Sequence, residues 1–411
     1  MKFLPHKHKN SELSFEKVID IHIPASESIV RRYKNAFLFY DDYDKDACYK
    51  KWLEKTSIQE GVRIFPFFTY RGVMIFLMDE TSLMCTGTLK STDGCVSIAH
   101  CRMNGFEKVG FESGGNTGSA MTEYGQRSGI ETFFFVPEDN LFLLDSTLFS
   151  SPGAHLISVK DTLLLKQTVR AFIDLFGISH IPEREWRYEA SMFRGIFILE
   201  YILKNQPVDW FVQTISAAFG PIGIYRVLND YGIALPRFLG IQQHANSPLF
   251  NSWKKQNTKH EEKNTEENLL TKVMYDREPF TYGTYNDFSE LLSSAQGDLS
   301  TVNHQEFYYY VKKIFEGKTI PDLLYEKGIH ISVKNEDIVE KTGLIALVGT
   351  IKAIDQGIIS AGTSVLCSLT SGMSRSDGKA KPDFYITDSE NLSEDSLKKM
   401  FAALMRDKKI S

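Results

Sequence analysis

Residues 85–129 read CTGTLKSTDGCVSIAHCRMNGFEKVGFESGGNTGSAMTEYGQRSG. One lysine, Lys90, stands among small residues, and the glycine-rich run SGGNTG follows at 113–118. Neither is diagnostic alone, because lysines usually sit solvated and Gly/Asn runs form ordinary turns. The flanking sequence gives them weight. GVMIFLMDE (72–80) reads as a short buried strand, and CVSIAHCRMN (95–104) spaces its apolar residues helically, so Lys90 falls just ahead of or within the first turn of a helix. EKVGFES (107–113) then reads as a strand, SAMTEYGQRSG (119–129) as a helix and ETFFFVPE (131–138) as another buried strand. This βαβ rhythm predicts a parallel sheet covered by helices.

The pattern continues outward. AHLISV (154–159) and DTLLLKQTVRAFIDLFG (161–177) form a further strand and helix, and ASMFRGIFILEYILKN (190–205) a long helix. VDWFVQTIS (208–216) enters the turn AAFGPIG (217–223), followed by helical IYRVLNDYG and strand RFLGIQQ. A phosphate at such a strand-to-helix turn meets backbone N–H groups and the positive helix end. TSVLCSLT is a buried strand that ends in Thr370, Ser371 and Gly372, at the sheet edge where α/β folds present ligand contacts. ACYKKWLEKTS (47–57) and QEFYYYVKKIFEG (305–317) read as helices. Helical spacing over 338–354 predicts a helix capped by Gly357, VIDIHIP (18–24) predicts a short strand in a loosely ordered arm, and the mixed-charge run 251–272 predicts a solvated segment or a lid.

Composition narrows the function classes. With 411 residues the chain is long enough for two or about three domains. Hydrophobic residues at 42% and charged residues at 24% are globular values. Lys plus Arg number 47 against 52 Asp plus Glu, a net charge of −5, which argues against nucleic acid as a partner. The five cysteines form no CxxC pair, so no zinc or redox site and no metal is expected, and a reducing cytoplasm is the simplest setting. The N-terminus lacks the apolar core of a signal peptide, and no stretch is long enough to span a membrane. His100, among apolar helix positions, reads as a hydrogen-bonded core residue.

In sequence order the chain resembles the fold-type II pyridoxal-phosphate enzymes, specifically their threonine synthase branch. TGTLKSTDG is similar to the Schiff-base lysine motif, ESGGNTGSA to the asparagine loop, AAFGPIG to the phosphate loop, and LCSLTSGM to the strand carrying the pyridine-nitrogen partner. The likeness covers about residues 65–375; LGIQQHANSPLFNSW and residues 278–306 look most like the cysteate synthase type, a paralogue that replaces the phosphate of O-phosphoserine with sulfite.

The resemblance implies an α/β fold like that of the tryptophan synthase β chain: two open, parallel-rich sheets flanked by helices, with pyridoxal 5'-phosphate between the domains. The expected division is an arm at 1–40, a large cofactor-binding domain at 41–93 and 186–411, and a small α/β domain at 94–185. Lys90 would be the Schiff-base residue and the base for the substrate's α-proton, which requires its pKa to fall below the free value of about 10.4. Asn116, Gly220, Ile222, Gly223 and Thr370 would bind the cofactor, and Ser113, Gly114, Gly115 and Thr117 the substrate carboxylate.

The implied activity is elimination or replacement of a leaving group, phosphate foremost, on a small activated amino acid. One alternative is threonine synthase proper, acting on O-phosphohomoserine; another is a degenerate relative retained as a binding or regulatory protein. A homodimer is common among such enzymes. This sequence departs from the family at Ser91 and Thr92, where Asp-Arg is usual, and at Gly114, where a hydroxyl residue is usual. Its phosphate loop is also poorer in Gly, Ser and Thr, and Pro221 removes one N–H.

Overall fold

Strands that are apolar on both faces decide the architecture, because such strands must be covered on both sides. Residues 364–369, 210–214 and 154–159 are buried throughout, and 131–137 is buried between its two ends. The computed structural model describes residues 1–5, 14–182, 184–254, 268–275, 283–334, 337–372, 380–388 and 392–407. Among them these strands form two sheets. The first has six strands in the spatial order 298–302, 237–243, 210–214, 364–369, 73–79, 63–70. All neighbours are parallel except 63–70, which pairs antiparallel with 73–79. The second has five parallel strands in the order 384–386, 154–159, 131–137, 108–112, 179–180. This is the parallel-rich, two-sheet α/β arrangement expected from the sequence.

Helices seal the faces. The helix Thr342–Asp355 is buried along nearly its whole length, each fully buried Leu or Ile contributing roughly 2 kcal/mol. The helices Glu185–Lys204 and Phe219–Tyr231 approach closely at two glycines: a Cβ on Gly195 would lie 2.8 Å from the carbonyl oxygen of Ile224, and one on Gly223 would lie 2.5 Å from the Cβ of Ser191. His100 is buried, stacked between Tyr49 and Trp186, with its Nε2 2.6 Å from a Glu189 carboxylate oxygen. It is a packed and hydrogen-bonded core residue. No helix among the described residues is long and apolar enough to cross a membrane.

Four expectations change. Val18–Pro24 is not a strand: a short helix ends at Val18, and Ile21 is 69% exposed. The Arg32 guanidinium occupies the carbonyls of Asp20 (3.2 Å) and Ile23 (2.7 Å) that a strand would have offered to a neighbour. The helix expected from 338 begins at Thr342, because Asp337–Ile338 pairs with Val333–Lys334. The segment GPIG is not a turn but the first turn of the Phe219–Tyr231 helix, where proline is well tolerated. Residues 384–386, grouped by sequence with the large domain, instead add an edge strand to the second sheet beside 154–159. Of the mixed-charge run 251–272, residues 255–267 lie outside the described residues.

Candidate active site

Three adjacent parallel strands of the first sheet, 73–79, 364–369 and 210–214, end on the same edge. Their following segments carry Lys90, Thr370 and the turn before Phe219. The second sheet adds the loop after strand 108–112. Lys90, Ser113, Gly114, Gly115, Asn116, Thr117, Gly220 and Thr370 all line one cavity of about 190 Å³. A second cavity of similar volume continues past Ser113, Gly114 and Ser216.

Lys90 opens the helix Lys90–Met103. The preceding residues are stitched to the neighbouring strand: Thr88 bridges Ser371, and the amide of Leu89 donates to the carbonyl of Thr370 at 3.0 Å. Lys90 Nζ donates to Asp93 Oδ2 at 2.7 Å, and its side chain is 26% accessible where it lines the cavity. Burial lowers the pKa of this amine, the Asp93 carboxylate pulls it back upward, and the Arg187 and Arg194 guanidiniums lower it further. The lowering dominates, which moves Lys90 towards the neutral form that a nucleophile or base needs.

The glycine run forms the far wall. Gly115 has φ of +149°, where a side chain would be strained, and Asn116 starts the helix Asn116–Arg127. Ser113 Oγ accepts from the Gly115 amide at 3.1 Å, and Asn140 Nδ2 donates to the Gly114 carbonyl at 2.8 Å, so the loop is fixed from both sides. Asn116 Nδ2 lies 3.5 Å from Ser371 Oγ and also reaches Glu340. Glu340 is 4% exposed and lines an adjoining cavity. Its burial raises the carboxyl pKa against hydrogen bonds from Thr342 and Asn116.

At the third segment Ala218 is left-handed, with φ of 63°, and turns the chain into the Phe219–Tyr231 helix. Gly220 is in the first turn, where an amide has no acceptor within the helix, and it lines the cavity. Ile222 and Gly223 do not. The Ile222 amide donates back to the Ala218 carbonyl at 3.3 Å, and Gly223 is pressed against Tyr188 and Ser191 of the neighbouring helix. Neither is among the residues that line the cavity.

Thr370 is 4% exposed, and its Oγ1 has no hydrogen-bond partner among the described residues. Buried polar groups are nearly always satisfied, so an orphaned hydroxyl on a cavity wall marks a place for a ligand atom. Arg187 also lines the cavity, its guanidinium 5.0 Å from the Phe219 ring centroid. Arg194 lies behind Gly220. Sequence reasoning misses both arginines. The one available signal is Arg194 itself, a charge inside the apolar run SMFRGIF that a surface helix would not place there.

The sequence matches no family model. It is similar to the threonine synthase of Methanosarcina acetivorans, 23% identical over 187 residues, which is 43% of this chain and 45% of that protein. Less than half of the relative's length is therefore spanned. Among solved structures, a mutant O-ureido-L-serine synthase with O-ureido-L-serine bound superposes with a TM-score of 0.54 at 11% identity, covering 78% of this chain and 89% of that one. A pyridoxal 5'-phosphate-dependent aspartate racemase gives 0.54 at 14% identity, covering 79% and 94%. A threonine deaminase from T.th. gives 0.52 at 14%, covering 80% and 97%. With its two parallel-rich sheets and these superpositions, the chain has the fold-type II architecture of pyridoxal-phosphate enzymes.

Proposed function

We propose that this protein is a pyridoxal-phosphate-dependent enzyme that eliminates or replaces a leaving group, phosphate, on a small activated amino acid. The observation that carries this reading is Lys90: an amine of lowered pKa, in a cavity, one residue from the amide that Thr370 holds. The residues present fit the cofactor. Thr370 Oγ1 is an orphaned buried hydroxyl, and Gly220 stands at a helix start where a phosphate is favoured. When bound, the cofactor supplies an electron sink for charge left on the substrate's α-carbon.

The side chains would do the rest. Lys90 would hold the cofactor covalently and would then carry the α-proton, its neutral form favoured by burial. Asp93 receives the ammonium form at 2.7 Å. Ser113 and Thr117 would offer donors to the substrate carboxylate at the start of the Asn116–Arg127 helix, beside the open backbone of Gly115. Thr370 would be a neutral partner for the pyridine nitrogen, and a hydroxyl would not keep that nitrogen protonated as a carboxylate does. That weaker sink favours loss of a leaving group over transamination. Arg187 supports phosphate as the leaving group, since it brings a cation to the cavity and makes no ion pair among the described residues.

The test is direct. Pyridoxal phosphate added to the purified protein should turn it yellow, and borohydride should then fix the cofactor on the peptide containing Lys90. No colour, or the same attachment in Lys90→Ala, overturns the reading. Phosphate release from O-phosphoserine and from O-phosphohomoserine then separates the cysteate synthase type from threonine synthase.

A further inference from the structure

The phosphate loop of this chain is poor in donors of its own. Ala217 and Ala218 carry no hydroxyl, Pro221 has no N–H, and the Ile222 amide is used inside the helix. A phosphate dianion at the start of the Phe219–Tyr231 helix would need donors from elsewhere.

The structure holds such donors beneath the loop. Arg194, on the Glu185–Lys204 helix, has a side chain 1% exposed. Two of its three nitrogens are committed: Nε donates to Glu80 Oε1, and Nη2 donates to Glu80 Oε2 at 2.7 Å and to Gln213 Oε1 at 2.9 Å. Ser368 Oγ donates to the same Glu80 carboxylate, so the guanidinium is locked by a bidentate fork that is itself held. The remaining nitrogen, Nη1, has no partner among the described residues. It comes up against Gly220, where a Cβ would lie 2.7 Å from Nη1 and 2.6 Å from Gln213 Nε2. Gly220 and Gln213 both line the cavity. Arg194 itself stands just behind the cavity wall, so an anion would meet Nη1 across Gly220, where no side chain intervenes; this leftover guanidinium nitrogen, held in a rigid fork at a helix start, has the charge of an anion ligand.

We propose that Arg194 Nη1, seconded by Gln213 Nε2, is the side-chain donor set for the cofactor's phosphate, in place of the hydroxyls this loop lacks. The proposal rests on the pyridoxal-phosphate reading above. Glu80 is then a positioning residue: it balances the charge of Arg194 while turning Nη1 towards the loop.

The test uses the full chain and two variants. Arg194→Lys keeps a cation beside Glu80, and Arg194→Met combined with Glu80→Gln removes both charges so that neither is left buried alone. Affinities for pyridoxal 5'-phosphate and for pyridoxal are read from visible absorbance. Thermal protection by inorganic phosphate is measured separately. The preference for the phosphorylated form, a ratio in which any change at the Lys90 amine cancels, should fall at least about tenfold in both variants, with phosphate protection lost. Folded variants that keep the preference and the protection overturn the assignment. Should neither variant fold, wild-type crystals soaked in inorganic phosphate decide, because an anion bound out of reach of Nη1, or none at all, overturns it equally. Wild-type protein that stays colourless with both forms sinks the cofactor reading instead, and the inorganic phosphate measurements still test Arg194.

Discussion

A side-chain carbon on Gly114 would sit 2.8 Å from the carbonyl oxygen of Val273. The short segment around Val273, which also lines the cavity, thus occupies the space that a side chain at position 114 would need. Gly114→Ser should force the two apart. Overpacking of this kind costs about 1–3 kcal/mol, so the denaturation midpoint should fall and the KM for the amino-acid substrate should rise. An unchanged midpoint would show that the Val273 segment yields freely.

Thr370→Val separates stability from function. The Thr370 hydroxyl is buried without a partner among the described residues, so its removal should raise the stability of the cofactor-free protein by about 1 kcal/mol. On the proposed reading, in which Thr370 would face the pyridine nitrogen, turnover should fall as well. A variant that is both less stable and fully active would contradict this placement.

The pH at which the cofactor is captured should follow the charges around Lys90. Burial and Arg187 lower the amine's pKa, and Asp93 raises it. Capture needs the neutral amine and therefore grows as pH rises through that pKa. Asp93→Asn removes the raising partner and should move the absorbance midpoint to lower pH. Arg187→Gln removes a lowering one and should move it to higher pH. Opposite shifts would refute the assignment.

Glu200 ties the N-terminal arm to the long helix and should set the acid limb of stability. Burial alone would raise its pKa, but hydrogen bonds from Arg32, Lys204 and Tyr33 outweigh this and hold it at about 2. The folded value lies below the unfolded one of about 4.3. This stabilisation is therefore complete above that pH and is lost as pH falls towards 2. Arg32→Met should cost about 3–5 kcal/mol at neutral pH, because it leaves a buried carboxylate short of its main partner. Thermal melts from pH 7 to 2 should also show a shallower acid limb in the variant.

The sheets and most of the site are readable because their signals are strong and local. Residues such as Phe133, Phe134 and Phe135 can only be a buried strand, and Lys90 and Thr370 follow such strands directly. Other parts depend on contacts between distant segments. The sequence reading assigns RIFPFFTY (63–70) to no element, and Pro66 interrupts any strand pattern there. In the fold Pro66 sits at a register irregularity of an edge strand, where its missing N–H is tolerated. GPIG is misread as a turn because Pro221 suggests one, yet proline also suits a helical first turn. Arg187 and Arg194 are missed for a related reason: pattern reading assigns charges to the surface, and although the apolar setting of Arg194 hints otherwise, only the fold shows Glu80 waiting for it.

The clasp of Asp383 on Leu156 has a consequence for how this protein is made. The Leu156 amide donates to the Asp383 carboxylate at 2.8 Å across 227 positions, and the Asp383 amide returns a bond to the Leu156 carbonyl at 2.8 Å. On the ribosome, strand 154–159 emerges long before the residues that cover its outer edge. The nascent chain must carry an open strand, every residue of which is buried in the finished fold, through about half of its synthesis. Completion of the second sheet is therefore among the last steps of folding, and a chain truncated before residue 384 should aggregate through that edge rather than fold into a smaller version of the same protein.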